Sequence, residues 1–188
     1  MSAPAKTTDF TPEDLLRMPD GDSYELVDGR LVETTMSFWS SYVAGEIHGS
    51  LRDFCRHKKL GWVVPEGATY QCFPDAPQKV RKPDTSFIRL ARLSLAQATE
   101  EGHLPIPPDL AVEVMSPNDN AYDLDEKVQE YLRAGVQLIW VVNPRARTVR
   151  VYRQQGIGTI LGENDELSGE DVIPGFRCRV GELFVPSI

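Results

Sequence analysis

The sequence predicts an α/β (α+β) domain in which a mixed β-sheet is flanked by helices. Three observations carry that expectation. A long segment with one apolar stripe follows an N-terminal hairpin, strand-like segments accumulate after it, and Leu110–Met115, Leu124–Ala134 and Gln137–Val142 then read as strand, helix, strand. The 188 residues fit one domain, expected over 11–188, with residues 1–10 as a flexible tail.

Taken in order, Thr11 precedes Pro12, Glu13 and Asp14, so a helix is expected to start there and run to about Met18. Proline at the first helical position gives up an amide that has no partner anyway, and acids in the first turn complement the helix dipole. Tyr24–Val27 and Arg30–Glu33 flank Asp28-Gly29, a dipeptide that accepts the positive φ of a two-residue hairpin turn. From Ser40 to Lys59, Val43, Ile47, Leu51, Phe54 and Cys55 recur at helical spacing. His48 and His57 lie on that helix without sharing a ligand-spaced face, so both read as surface or boundary residues.

Trp62–Val64, Ala68–Phe73 and Arg81–Ile88 are strand candidates, punctuated by Pro65, Gly67, Pro74 and Pro77, and are expected at the centre of the sheet. Residues 91–108 read as a surface connection with one helical turn. Leu110–Met115 should be a buried strand, and Pro108-Asp109 the turn that leads into it. Leu124–Ala134 turns Leu124, Val128, Tyr131 and Leu132 inward, and Gly135 stops it. Gln137–Val142 is a second buried strand. Asn143-Pro144 leads into Thr148–Tyr152, two short strands precede Pro174-Gly175, and Gly181–Phe184 closes the domain.

Composition excludes several classes. Hydrophobic residues at 41% and charged residues at 26% rule out collagen-like, coiled-coil and wholly disordered chains. No apolar run suits a membrane helix and the N-terminus lacks the apolar stretch of a signal peptide, so a cytoplasmic location is expected. Cys55, Cys72 and Cys178 are far apart and read as small buried hydrophobes rather than a disulfide framework or zinc site. A net charge of −8 repels phosphate backbones, so nucleic acid would need a locally positive face. Three basic groups, at 52–59, 79–92 and 145–153, each read as a solvated face. Phosphate-cradling glycine loops and a nucleophile elbow are absent.

The residue that breaks its local pattern is Glu113, a carboxylate inside an apolar strand, where an unpaired charge costs several kcal/mol. Asp84 is similarly placed in a strand-like segment, after Pro83. Carboxylates on neighbouring strands suit a hard cation such as Mg²⁺ or Mn²⁺, and the alternative is that each pairs with a nearby Arg or Lys. Lys127, one turn before Tyr131, either orients a water and a phosphoryl charge or snorkels at the surface.

The runs RKPDTSFI, PDLAVEVMSPND, EKVQEYLRAGVQLIWVVNPRARTVRVYR and DVIPGFRCRVGELF, with the opening YELVDGRLVE, resemble the Uma2 (DUF820) family of restriction endonucleases in the PD-(D/E)XK nuclease superfamily, across about residues 22–185. The resemblance implies a restriction-endonuclease-like core and a metal-dependent endonuclease acting on nucleic acid, with DNA the expected polymer. Asp84 matches the aspartate of the PD half-motif and Glu113 the acid of the other half. Met115 stands where the superfamily carries lysine, and Lys127 matches the lysine that Uma2-like sequences show on the following helix. The implied cation is Mg²⁺ (or Mn²⁺), held by Asp84, Glu113 and the Val114 carbonyl, with Lys127 positioning the water. Basic groups 52–59 and 79–92 would contact phosphates, and Trp39 or Trp62 would stack on a base. A cleaver of both strands would work as a homodimer. Two other readings stay open: a non-catalytic binding or assembly module, which the acidic charge and displaced lysine favour, and a subunit of a larger nucleic-acid-processing assembly.

Overall fold

Asp28 and Gly29 both take positive φ, 49° and 75°, and so close the hairpin of β1 (Tyr24–Val27) and β2 (Arg30–Glu33) in the register expected of a two-residue turn. The computed structural model describes residues 9–154 and 158–185. Most of the expected tail, residues 1–8, lies outside them. Helix α1 (Pro12–Arg17) begins as its sequence dictates: Thr11 accepts from the Asp14 amide while the Asp14 carboxylate accepts from the Thr11 amide.

Helix α2 (Phe38–Lys58) starts two residues before the expected position, because Ser37 caps it by accepting from the Ser40 amide. Its stripe of Val43, Ala44, Ile47, Leu51 and Cys55 is buried. The strands β3 (Gly61–Pro65), β4 (Thr85–Arg89), β5 (Leu110–Val114), β6 (Leu138–Asn143), β7 (Thr148–Arg153) and β8 (Thr159–Leu161) form one mixed sheet in that order. Only β5 and β6 run parallel, and helix α4 (Ala121–Ala134) makes the crossover between them. A single helical turn, α3 (Leu95–Ala98), interrupts the expected connection over 91–108. The strands β9 (Glu166–Ser168) and β10 (Arg177–Arg179) pair as a separate ribbon, and a 3₁₀ turn follows at Val180–Phe184.

Side-chain alternation along β5 divides the core. Leu110, Val112 and Val114 pack into the cluster that contains the α2 stripe, whereas Ala111 packs with Val128, Tyr131 and Ile139 under α4. Glu113 shares the parity of Ala111 and so faces α4. Gly135, at φ 96°, ends α4 in the left-handed conformation. No helix among the described residues is long and apolar enough to cross a membrane.

Four expectations are corrected. Ala68–Phe73 is not a strand: only Tyr70 bridges, to Arg81 on one side and Leu104 on the other, and a turn bonded from Ala76 to Phe73 follows. The sheet's centre is β5 and β6, while β3 is an edge, since the chain enters the sheet from its rim. Asp84 precedes β4, its amide bonding the Val112 carbonyl at 3.1 Å. Lys79, Arg81 and Lys82 are not a solvated face, being 6%, 6% and 3% exposed, because buried carboxylates and a carbonyl take their charges.

Candidate active site

The carboxylate of Glu113 is held from one face of α4. Lys127 donates to Oε2 at 2.8 Å and Tyr131, one turn later, donates to Oε1 at 2.9 Å. The i, i+4 spacing places both donors over the same stretch of β5. Asp84, just before β4, accepts from the Val114 amide through Oδ2 at 2.6 Å. Its Oδ1 takes no hydrogen bond from the described residues. Both carboxylates line a cavity of about 280 Å³ whose walls include Glu25, Lys127, Asp123 and Met36. The structure therefore brings Asp84, Glu113, Val114 and Lys127 to one cavity.

A third carboxylate was not evident in the sequence. Glu25 of β1 lies 2.9 Å from Lys127 Nζ through Oε1, which also accepts from the Lys82 amide at 2.6 Å. Its Oε2 accepts from Arg81 at 3.0 Å. Arg81 in turn donates to Glu130 at 2.8 Å, and Glu130 also binds Lys79. Glu25 sits in the ordinary hairpin pattern Tyr24-Glu25-Leu26-Val27, so nothing local marks it; its buried neighbour Leu26 is the one hint.

These contacts set the charges. Burial pushes Glu113 up, with Glu25 adding to it, and Lys127 and Tyr131 reverse only part of that shift. Asp84 is pushed well above its ordinary value, first by burial and then by the neighbouring Glu113 charge. Burial acts the same way on Glu25, yet Lys127, Arg81 and the Lys82 amide outweigh it and hold that carboxyl below its usual range. Burial would discharge Lys127, but Glu113, Glu25 and Asp84 around it keep the ammonium charged.

Among the described residues no three His, Cys, Asp or Glu side chains form a ready-made metal cluster. The donor set at Asp84 and Glu113 nonetheless suits a hard divalent ion, because it is all oxygen, includes the unbonded Asp84 Oδ1, and sets Glu113 where its charge raises the cost of ionising Asp84. Val114 lines the same cavity, and its amide donates to Asp84 at the edge of β5 that β4 leaves open beyond Val112.

Other expected contacts lie elsewhere. Residues 52–59 end α2 and do not line the cavity. Trp62 donates its indole N–H to the Leu93 carbonyl at 2.9 Å, and Trp39 stacks on Tyr42 with centroids 5.3 Å apart. Arg89 and Arg92 engage the fully buried Asp109, which anchors the turn into β5 as expected. Cys55 is buried in the main core, its thiol pushed up to about 11 by burial.

Residues 12–181 match the model of a family, Uma2, described as "Putative restriction endonuclease". No curated protein matches. Among solved structures, the fold is shared with "a putative nuclease belonging to DUF820" from Anabaena variabilis, at 20% identity and a TM-score of 0.78, covering 93% of this chain and 97% of that one.

Proposed function

The chain belongs to the Uma2 family, and from that premise we propose that it is a metal-dependent endonuclease that hydrolyses phosphodiester bonds of DNA at the Asp84–Glu113 pair. One observation carries the reading. From Lys79 through Glu130, Arg81, Glu25 and Lys127 to Glu113, buried charges alternate in sign. The next group is Asp84, a second carboxylate that also feels Lys127 but has no ion-pair partner of its own among the described residues. A divalent ion would be held there by Asp84, Glu113 and the Val114 carbonyl and would supply the positive charge that lets both carboxyls ionise.

Such an ion supplies Lewis acidity, polarising a phosphate oxygen and acidifying water. Lys127, fixed from α4, donates a hydrogen bond to the attacking water or to the phosphate oxygen on which charge builds. Water attacks phosphorus in line and gives up a proton to solvent, the bond to the leaving oxygen breaks, and the departing alkoxide takes a proton from solvent. Asp84 fixes the cation site to the end of β5 through the Val114 amide.

A second reading, a non-catalytic module, draws on the completeness of the Lys127 and Tyr131 bonds, which satisfy Glu113 without any metal. The test is cleavage of plasmid, linear single-stranded DNA and RNA with Mg²⁺ or Mn²⁺, comparing wild type with Glu113→Gln and Lys127→Ala. Metal-dependent cutting of DNA lost in both variants supports the nuclease. Cutting by Lys127→Ala at the wild-type rate removes the lysine from the mechanism. Wild-type protein that neither cuts nor gains thermal stability with metal leaves the binding-module reading.

A further inference from the structure

We infer that Glu25, contributed by the N-terminal hairpin, is a positioning residue for Lys127 and not a metal ligand; this rests on the nuclease reading above. Glu25 is only 3% exposed and both oxygens of its carboxylate are engaged. Oε1 receives the Lys82 amide and faces the Lys127 ammonium, and Oε2 receives Arg81. Arg81 is itself fixed by Glu130 at 2.7 Å. A carboxylate held by three donors from two segments of the chain has a fixed orientation and little capacity left for a cation.

Lys127 is thus shared between two carboxylates of different kinds. Glu113 lines the cavity beside Asp84 with one donor on each oxygen, which leaves each oxygen a lone pair that can turn toward a cation. Glu25 is locked from behind. When Glu113 does so, Glu25 keeps the ammonium in place, so the lysine faces the substrate rather than following Glu113. The hairpin that brings Glu25 is pinned by reciprocal Leu26 and Val80 backbone hydrogen bonds, each 2.9 Å, which join it to the segment that carries Arg81 and Lys82.

The experiment compares wild type, Glu25→Gln, Lys127→Met and the double variant for cleavage of the most readily cut DNA of the panel, with Mn²⁺ binding by calorimetry on the same proteins. Glu25→Gln is expected to retain wild-type Mn²⁺ affinity and KM while kcat falls by about 10–100-fold, the usual loss on removing an orienting group. The double variant should be no slower than Lys127→Met, since Glu25 acts through that lysine. Loss of Mn²⁺ binding like that of Glu113→Gln would make Glu25 a ligand and overturn the inference. Additive losses in the double variant would reduce it to a structural ion pair. Unchanged kcat in Glu25→Gln sinks it while leaving the nuclease intact, whereas wild type that neither cuts nor binds Mn²⁺ removes both. If Glu25→Gln does not fold, Glu25→Asp, which keeps the charge and shortens its reach, takes its place under the same criteria.

Discussion

Tyr131 donates its hydroxyl proton to Glu113 Oε1 across 2.9 Å, one helical turn beyond the lysine that holds the other oxygen. The ring also packs against Phe73, with centroids 6.1 Å apart. Tyr131→Phe keeps that packing and removes only the donor, leaving a buried carboxylate oxygen unpaired. A loss of about 1–3 kcal/mol in urea unfolding is expected. An unshifted unfolding midpoint would show that the hydrogen bond contributes nothing.

The pH dependence of the metal-free protein follows from Asp84. Burial, then Glu113, raises its folded pKa above the ordinary 3.8, so its contribution to stability is complete below that value and lost as pH rises through the folded pKa. Unfolding in EDTA between about pH 4 and pH 8 should therefore show stability falling with pH on this account. Asp84→Asn still accepts from the Val114 amide and removes the charge, so it should be more stable than wild type at neutral pH without metal. Glu25 acts oppositely: its lowered pKa gives stability above the ordinary 4.5 that is lost as pH falls. The acid limb of the curve should survive in Asp84→Asn and shrink in Glu25→Gln. Equal neutral-pH stability of Asp84→Asn and wild type would contradict the assignment.

A cation that binds only the folded state stabilises it by mass action. Mn²⁺ at about 100 times its Kd should add about 2.7 kcal/mol to the wild type. Asp84→Asn and Glu113→Gln should show none of this gain in thermal melts, and Tyr131→Phe most of it. A gain that persists in Asp84→Asn would place the cation elsewhere.

Buried and exposed ion pairs should separate sharply. Arg81→Met removes the cation that Glu25 and Glu130 share in the interior and leaves each with one lysine, for an expected loss of about 3–5 kcal/mol. Arg52, paired with Asp53 where both side chains are more than half exposed, can be changed to Ala for at most about 0.5 kcal/mol. Chemical denaturation of the two variants side by side tests the ranking, and similar losses would refute it.

Much of the site was legible in the sequence because its members break local patterns. Glu113 stood alone in an apolar strand, Asp84 followed a proline where a ladder opens, and the stripe of α4 put Lys127 at the edge of a buried face. The α2 stripe, the Asp28-Gly29 turn and the β5–α4–β6 unit were legible for the same reason, since each depends on spacing within one segment. Lys79, Arg81, Lys82, Glu25 and Glu130 were not. Their charges look like those of any solvated surface, and what buries them is partners from distant segments that spacing does not reveal. Tyr70 misled in the opposite sense: Ala68–Phe73 has the residues of a strand, but its neighbours offer pairing at one position only.

The lysine is gripped between β1 and β5, so closing the contact between Glu25 and Lys127 spans more than half of the chain. Contacts of such long sequence separation carry a large loop-closure cost and form late on the folding route. The parallel pairing of β5 with β6 needs only the local α4 crossover and is available earlier. On this order the sheet forms before the charged centre is complete, and the docking of the hairpin is the step that finishes it. Folding kinetics bear on this directly: Glu25→Gln should speed unfolding and leave the refolding rate nearly untouched.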